Sequence, residues 1–356
     1  MDTTKGPQRI SNLRLYRHHS PRGKRKPARL DPPAATQLPL RETLASRDSW
    51  RHTAGLVVRR ACHAALAADD RYDAIQNHDH QADGLRAAGV LDSAASGARQ
   101  MIDLRGQAAV VTGSSSGIGR ATALELARRG CDVLVQYCRS RPDAEALAAE
   151  LRDLGVRTVV AQGDVAVDAD CRAMMDKAAE TFGRLDILVN NAGTTRFIAH
   201  SALEEVTDEV WKRIMDVNVK GPFQCIRAAR EAMTRSGGGH VINVASVAGI
   251  KATGSSVPYA ASKAAVINMT ISLARALSPT IRVNAVAPGF IAGRWLEQGL
   301  GLRYDDVMAA TEKKLPLKRI TTPEDVADAI VGLLIGSKQV TGQTLPVDGG
   351  MLVADF

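Results

Sequence analysis

The chain has 356 residues, room for one large domain or two small ones, and 45% of them are apolar, enough to fill a buried core. Its formal charge of +8 is lopsided: residues 1–100 carry 17 Lys/Arg against 10 Asp/Glu, and residues 101–356 carry 29 against 28. The excess of positive charge therefore belongs to the leader, and it does not make the nearly neutral body a nucleic-acid binder.

In chain order, residues 1–100 hold the basic run Arg22–Lys26, a Pro-rich polar stretch to Pro39, and six of the eight histidines. They read as a basic, disordered extension or an over-long gene start. The alternative is a polybasic segment that touches nucleic acid, anionic membrane or an import receptor, and clustered charge is its only support. The best apolar stretch of the leader, Ala54–Val58, is too short for a signal-peptide core, and no run approaches membrane-spanning length. A cytoplasmic location is expected, with no membrane or nucleic-acid partner. Cys62, Cys131, Cys138, Cys171 and Cys225 form no Cys-x-x-Cys pair and read as free thiols of a reducing compartment, and no metal site is expected.

From about residue 104, apolar β-branched runs recur at 107–112, 132–137, 157–162, 185–189, 240–245, 281–286 and 343–347, with amphipathic stretches between most of them. Strands alternating with helices imply right-handed crossovers and a parallel sheet covered on both faces. The expected fold is α/β: one doubly wound domain of about seven strands over residues 101–356.

Ala109-Val110-Val111 is followed at once by Thr112-Gly113-Ser114-Ser115-Ser116-Gly117-Ile118-Gly119, and a helix begins at Arg120. A Gly-rich turn from strand to helix aims backbone N–H groups at a pyrophosphate, so Gly113, Ser115, Ser116, Gly117, Ile118 and Gly119 are candidate dinucleotide contacts. The second strand ends in Tyr137, Cys138, Arg139 and Ser140, where NAD sites often place an acidic residue for the ribose hydroxyl. Arg139 with Ser140 and Tyr137 suits a 2′-phosphate, so NADP(H) is preferred and NAD(H) is the alternative; Arg139 can also be read as a solvated loop charge.

Ser246 stands just after the strand Val241–Val244, and Pro258-Tyr259-Ala260-Ala261-Ser262-Lys263 follows. Pro258 suits a first helical turn, which puts Tyr259 and Lys263 on one helix face at i and i+4. Reduction of a ketone leaves an alkoxide that must take a proton. A phenol is a poor acid–base catalyst near neutrality, and a cation one turn away is expected to lower its pKa. Ser246 is placed to hydrogen-bond the carbonyl oxygen.

These motifs, with Asp164-Val165, Asn190-Asn191-Ala192-Gly193, Asn218-Val219 and Pro288-Gly289 in order between and after them, resemble the short-chain dehydrogenase/reductase family over about residues 104–351. The texture is nearest its 3-oxoacyl-acyl-carrier-protein-reductase-like branch. The resemblance implies a Rossmann-type domain and a catalytic tetrad of Asn218, Ser246, Tyr259 and Lys263, with Asn218 supporting a water-linked proton relay. It implies adenine contacts at Asp164 and Val165, and cofactor contacts at Asn191, Ala192 and Gly193. Nicotinamide-side contacts are implied at Tyr259, Lys263, Pro288, Gly289 and Ile291. A Thr common in the family a few residues after Pro-Gly is replaced here by Gly293.

Residues 292–316, with Arg294, Trp295, Leu296, Leu300, Leu302, Tyr304, Met308 and Leu315, are expected to form a lid over the substrate. The expected activity is NADP(H)-dependent hydride transfer at a carbonyl or secondary alcohol, with a 3-oxoacyl thioester among the substrates considered. An acidic carrier protein would find Arg235, Arg275, Lys313, Lys314, Lys318 and Arg319 as candidate contacts, or these are ordinary surface charges. The alternatives are an NAD-dependent catabolic dehydrogenase of alcohols, sugars or steroids, and a non-catalytic nucleotide-binding scaffold. The family further implies a homotetramer.

Overall fold

In a computed structural model, which describes residues 102–354, the seven apolar runs become seven strands. They are β1 (Ala108–Val111), β2 (Asp132–Tyr137), β3 (Thr158–Gln162), β4 (Ile187–Asn190), β5 (Gly239–Val244), β6 (Ile281–Pro288) and β7 (Thr344–Val347). The extension expected over residues 1–100 lies outside the described residues, as does Cys62. All pairings are parallel, in the order β3-β2-β1-β4-β5-β6-β7.

The central strands β1, β2 and β4 are buried along their whole length, which is why they read as continuous Val/Ile/Leu runs and not as alternating ones. Helices cover both faces. On one side α1 (Gly117–Arg128), α2 (Arg141–Asp153) and α10 (Pro323–Ile335) bring Leu126, Leu147, Leu151, Ile330 and Leu334 into one core cluster with Val133, Val135 and Tyr137 of β2 and Val286 of β6. On the other, α3 (Asp168–Phe182), α5 (Gly221–Arg235) and α7 (Val257–Leu277) bring Met174, Met175, Ile226, Met233 and Ala274 against Val110, Leu134 and Leu188. Each fully buried Leu contributes about 1.5–3 kcal/mol of transfer free energy, so truncating one to Ala costs about 2–5 kcal/mol once the cavity is included.

The helix starts are set locally. Thr322 and Asp325 form a reciprocal capping box at the head of α10, and Pro323 occupies its first turn. Ser256 caps α7 by accepting the Tyr259 N–H, with Pro258 in the first turn. Between α4 (Asp208–Met215) and α5, residues Asp216–Lys220 form a π-helical turn that contains Asn218. Beyond β6 lie two further helices, α8 (Arg294–Leu300) and α9 (Tyr304–Lys314), in the stretch expected as a lid; α6 (Ala248–Lys251) is a single turn after β5. At the sheet edge, the Val347 carbonyl accepts the Gly289 N–H, so Val347 turns toward β6 and Pro346 beside it turns outward.

Candidate active site

The chain runs outward from β1 through β2 to β3, then returns to place β4 on the other side of β1. That reversal opens a crevice beyond the C-terminal ends of β1 and β4, the place where doubly wound sheets take their ligands. A cleft of about 1250 Å³ lies there.

One wall is the Gly-rich turn. Gly113, Ser115, Ser116, Gly117 and Ile118 line the cleft, while Gly119 lies behind them. A Cβ at Gly119 would sit 2.5 Å from both the Gly113 carbonyl oxygen and Asn191 Nδ2, so only glycine lets α1 close against the turn. Asn191 ties the turn to β4: its Nδ2 donates to the carbonyls of Thr112 and Gly113 at 2.9 and 3.0 Å. Ser116, the N-cap of α1, makes no side-chain capping bond, and the first turn of α1 has no acidic residue. Unclaimed N–H groups and the positive helix end therefore face the cleft, which fits the pyrophosphate of a dinucleotide.

The adenosine end is built from the ends of β2 and β3. Cys138, Arg139, Ser140, Asp164 and Val165 line it. Burial alone would raise the Asp164 pKa, but the Ala166 N–H and the Arg213 guanidinium at 2.9 Å outweigh it and hold the carboxyl below its usual value. Tyr137 does not reach the cleft. The pleat sends it, with Val133 and Val135, into the α1/α2 side of the core, where it is 6% exposed, so the expectation of a ribose contact from its side chain is corrected. The preceding residue, Gln136, faces the site instead. Its Oε1 accepts the Gly113 N–H at 2.6 Å, its Nε2 donates to the Gly163 carbonyl at 2.7 Å, and its own backbone bonds Ser114. Gln136 and Arg213 were absent from the sequence reading. An amide at the end of an otherwise apolar strand was the available signal for Gln136; for Arg213, paired with a residue 49 positions away, there was none.

The reactive wall combines Ser246, Tyr259 and Lys263 in the same cleft. The Ser246 oxygen accepts the Ala248 N–H at 3.1 Å and lies 3.4 Å from the Pro288 carbonyl, so α6 and the end of β6 both fix it. Lys263 Nζ donates to the Val244 carbonyl at 2.8 Å and stands 5.7 Å from the Tyr259 ring centroid. Burial pushes the Lys263 ammonium down to about 8. Burial also pushes the Tyr259 phenol up to about 12, and the Ser246 hydroxyl pulls it back only in part. The sequence led to the opposite expectation, a phenol lowered by its lysine; desolvation of the phenolate dominates here.

Asn218 does not line the cleft. Its amide brackets the Gly193-Thr194 segment, accepting the Thr194 N–H at 2.8 Å and donating to the Thr194 carbonyl at 2.9 Å, and its Nδ2 also reaches Ser262 Oγ on α7 at 3.0 Å. A Cβ placed on Gly193 would stand 3.5 Å from Asn218 Oδ1 and 3.8 Å from Lys263 Nζ, so the two side chains converge there. Asn191, Ala192, Gly193, Pro288, Gly289 and Ile291 all line the cleft.

Of the expected lid, Arg294, Trp295, Leu296 and Leu300 line the cleft, and the Trp295 ring lies 6.3 Å from that of Tyr259, tilted by 53°. Leu302 points fully into solvent and Leu315 is buried, so neither faces a substrate. Phe197 reaches over from the loop after β4 and packs on Gly299. Of the candidate carrier contacts, Arg235 pairs with Glu231, Arg319 pairs with Asp325, and Lys318 donates to the Lys313 carbonyl.

The sequence model described as enoyl-(acyl carrier protein) reductase matches residues 113–352. A Streptomyces violaceoruber protein named as a ketoacyl reductase of the granaticin polyketide synthase is 45% identical over 242 residues, 68% of this chain and 94% of that one. A Staphylococcus aureus 3-oxoacyl-[acyl-carrier-protein] reductase is 39% identical over 247 residues, 69% and 98% of the two chains. The crystal structure of a Burkholderia xenovorans protein titled as a short-chain dehydrogenase/reductase, 39% identical, superposes with a TM-score of 0.65 over 69% of this chain and 98% of that one. With its ordered motifs gathered around one crevice, the chain belongs to the short-chain dehydrogenase/reductase family, in its 3-oxoacyl-acyl-carrier-protein-reductase-like branch, and is an NAD(P)-dependent oxidoreductase.

Proposed function

We propose that the protein reduces the keto group of 3-oxoacyl thioesters with NADPH, and that the thioester is carried by an acyl carrier protein. The observation that carries this is the convergence of Ser246, Tyr259 and Lys263 on one wall of the cleft, opposite an uncapped helix start. The NADPH preference rests on the cleft lining after β2, where Arg139 and Ser140 stand and the strand itself ends without an acidic residue. The substrate class rests on the apolar wall of Phe197, Ile198, Trp295, Leu296 and Leu300, and on the names of the two relatives.

The nicotinamide, when bound, supplies the hydride to the carbonyl carbon. Ser246 Oγ–H donates to the carbonyl oxygen and polarises it. Tyr259 O–H then gives its proton to that oxygen. A phenol raised to about 12 is fully protonated at neutrality and still far more acidic than an alcohol, so it is poised to act as the acid and the transfer runs downhill. Lys263, held by the Val244 carbonyl, steadies the negative charge left on the phenolate oxygen. Asn218 brackets Thr194 on the side of the Lys263 ammonium, and there it supports a water-linked proton relay through that lysine.

The remaining parts of the reading are a homotetramer in the cytoplasm, with residues 101–356 as the catalytic unit. The exposed Trp211, Phe223 and Ile271 on α4, α5 and α7 are apolar surfaces suited to burial against a copy of the chain. The test is NADPH consumption with an acetoacetyl thioester, beside NAD+ reduction with sugar alcohols and steroids. The expected outcome is thioester reduction that Tyr259→Phe lowers by at least about 1000-fold while NADPH still binds. Unchanged turnover in that variant overturns the mechanism; faster NAD+-linked oxidation in the wild type overturns the substrate class.

A further inference from the structure

Arg294 opens α8, directly after Gly293, and lines the same cleft as Ser116, Gly117, Arg139 and Ser140. Its guanidinium reaches across the cleft mouth to Asp143 in the first turn of α2, three residues beyond Ser140. The contact is loose. Nη1 and Nη2 both lie 3.4 Å from one carboxylate oxygen, and the two side chains are 65% and 39% exposed. The neighbouring pair Arg213–Asp164 closes to 2.9 Å. An exposed pair stretched to one oxygen contributes at most about 1 kcal/mol. A phosphate offers the same fork several oxygens and more charge.

The segment that carries Arg294 is joined to β6 through a glycine. Gly293 has φ +132°, a conformation closed to other residues, and a Cβ there would meet nothing within 4 Å. Its N–H is held by the hydroxyl of Tyr304, on the lid itself. Of the other cations that line the cleft, Arg213 is engaged with Asp164 and Lys263 with the Val244 carbonyl beside Tyr259, while Arg139 stands beside Ser140 and Arg303 follows α8.

We propose that Arg294 is a lid-borne phosphate ligand that Asp143 parks at the cleft mouth, and that it exchanges this carboxylate for a phosphate of the dinucleotide when the lid closes. The proposal rests on the cofactor class given above. It makes Arg294, and not the absent threonine side chain at position 293, the link between lid and cofactor.

The test is NADPH binding to the full chain, read by fluorescence titration without substrate. Arg294→Ala is expected to weaken binding about tenfold, the loss of one charge-assisted phosphate contact. Asp143→Asn, which releases the arginine, is expected to tighten it. In the double variant that tightening is expected to vanish, because the carboxylate acts through Arg294. Repeating the series with NADH locates the contact: loss confined to NADPH assigns the 2′-phosphate, and equal loss with both assigns the pyrophosphate. The proposal is overturned if Arg294→Ala binds as tightly as the wild type, or if Asp143→Asn tightens binding equally in the Arg294→Ala background. Failure of the wild type to bind either dinucleotide would instead overturn the cofactor class itself.

Discussion

At the scale of single residues, burial governs the protonation of Tyr259, Lys263 and His240, among others. Tyr259 and Lys263 are displaced in opposite directions, to about 12 and about 8, because the protein disfavours the charged form of each. His240 is the third. Asn284 Oδ1 accepts the Gln343 N–H, so its Nδ2 must donate to the Val340 carbonyl and to His240 Nε2, which makes the neutral ring an Nδ1–H tautomer. Burial, helped by Arg282, pushes His240 down to about 3, well below the unfolded value near 6.5. Neutral His240 therefore contributes stability that is complete above about pH 6.5 and is lost as pH falls toward 3, when the unfolded chain binds a proton that the folded one refuses. The slope from this residue is about 1.4 kcal/mol per pH unit. Replacing it with Gln, which keeps an acceptor for Asn284, is expected to remove about one proton from the pH dependence of unfolding between pH 6.5 and 3, measured by denaturant titration at several pH values. An unchanged slope would show that His240 is already charged in the fold.

At the scale of elements, the end of β2 is the junction on which the dinucleotide site depends. Gln136 joins the Gly-rich turn after β1 to the end of β3 through one amide. Gln136→Leu keeps the volume but leaves the Gly113 N–H and the Gly163 carbonyl unpaired, at a cost of about 1–3 kcal/mol each if they stay dry. The expected result is a raised KM for NADPH with kcat nearly kept, and Gln136→Glu, which restores the acceptor for Gly113, should recover part of the loss. A fall in kcat alone would count against this role. The same strand marks the limit of what the sequence made legible. Its β-branched run announced a strand with correct ends, but the motif treated Tyr137 to Ser140 as one cluster, whereas the pleat sends Tyr137 and Gln136 to opposite faces. Ser246, Tyr259 and Lys263 were legible because their spacing is local or tied to a strand end. The bracketing role of Asn218 was not, because it depends on a π turn, a break in hydrogen-bond register that no residue type announces.

At the scale of the molecule, both layers of helices, all seven strands and the cleft fall within residues 102–354. A protein shortened to residues 101–356 is accordingly expected to fold, reduce substrate at the full-length rate and run as a tetramer in native mass spectrometry. An insoluble or inactive fragment would give the leader a part in the catalytic body. The outward-turned Pro346 on β7 bears on how copies meet. A strand approaching to extend the ladder would find a pyrrolidine ring where it needs an N–H, so growth of the sheet from that side is capped chemically. If copies associate through helix faces, as the proposed tetramer would, a blocked edge leaves closed particles as the expected product and open-ended fibres as the excluded one.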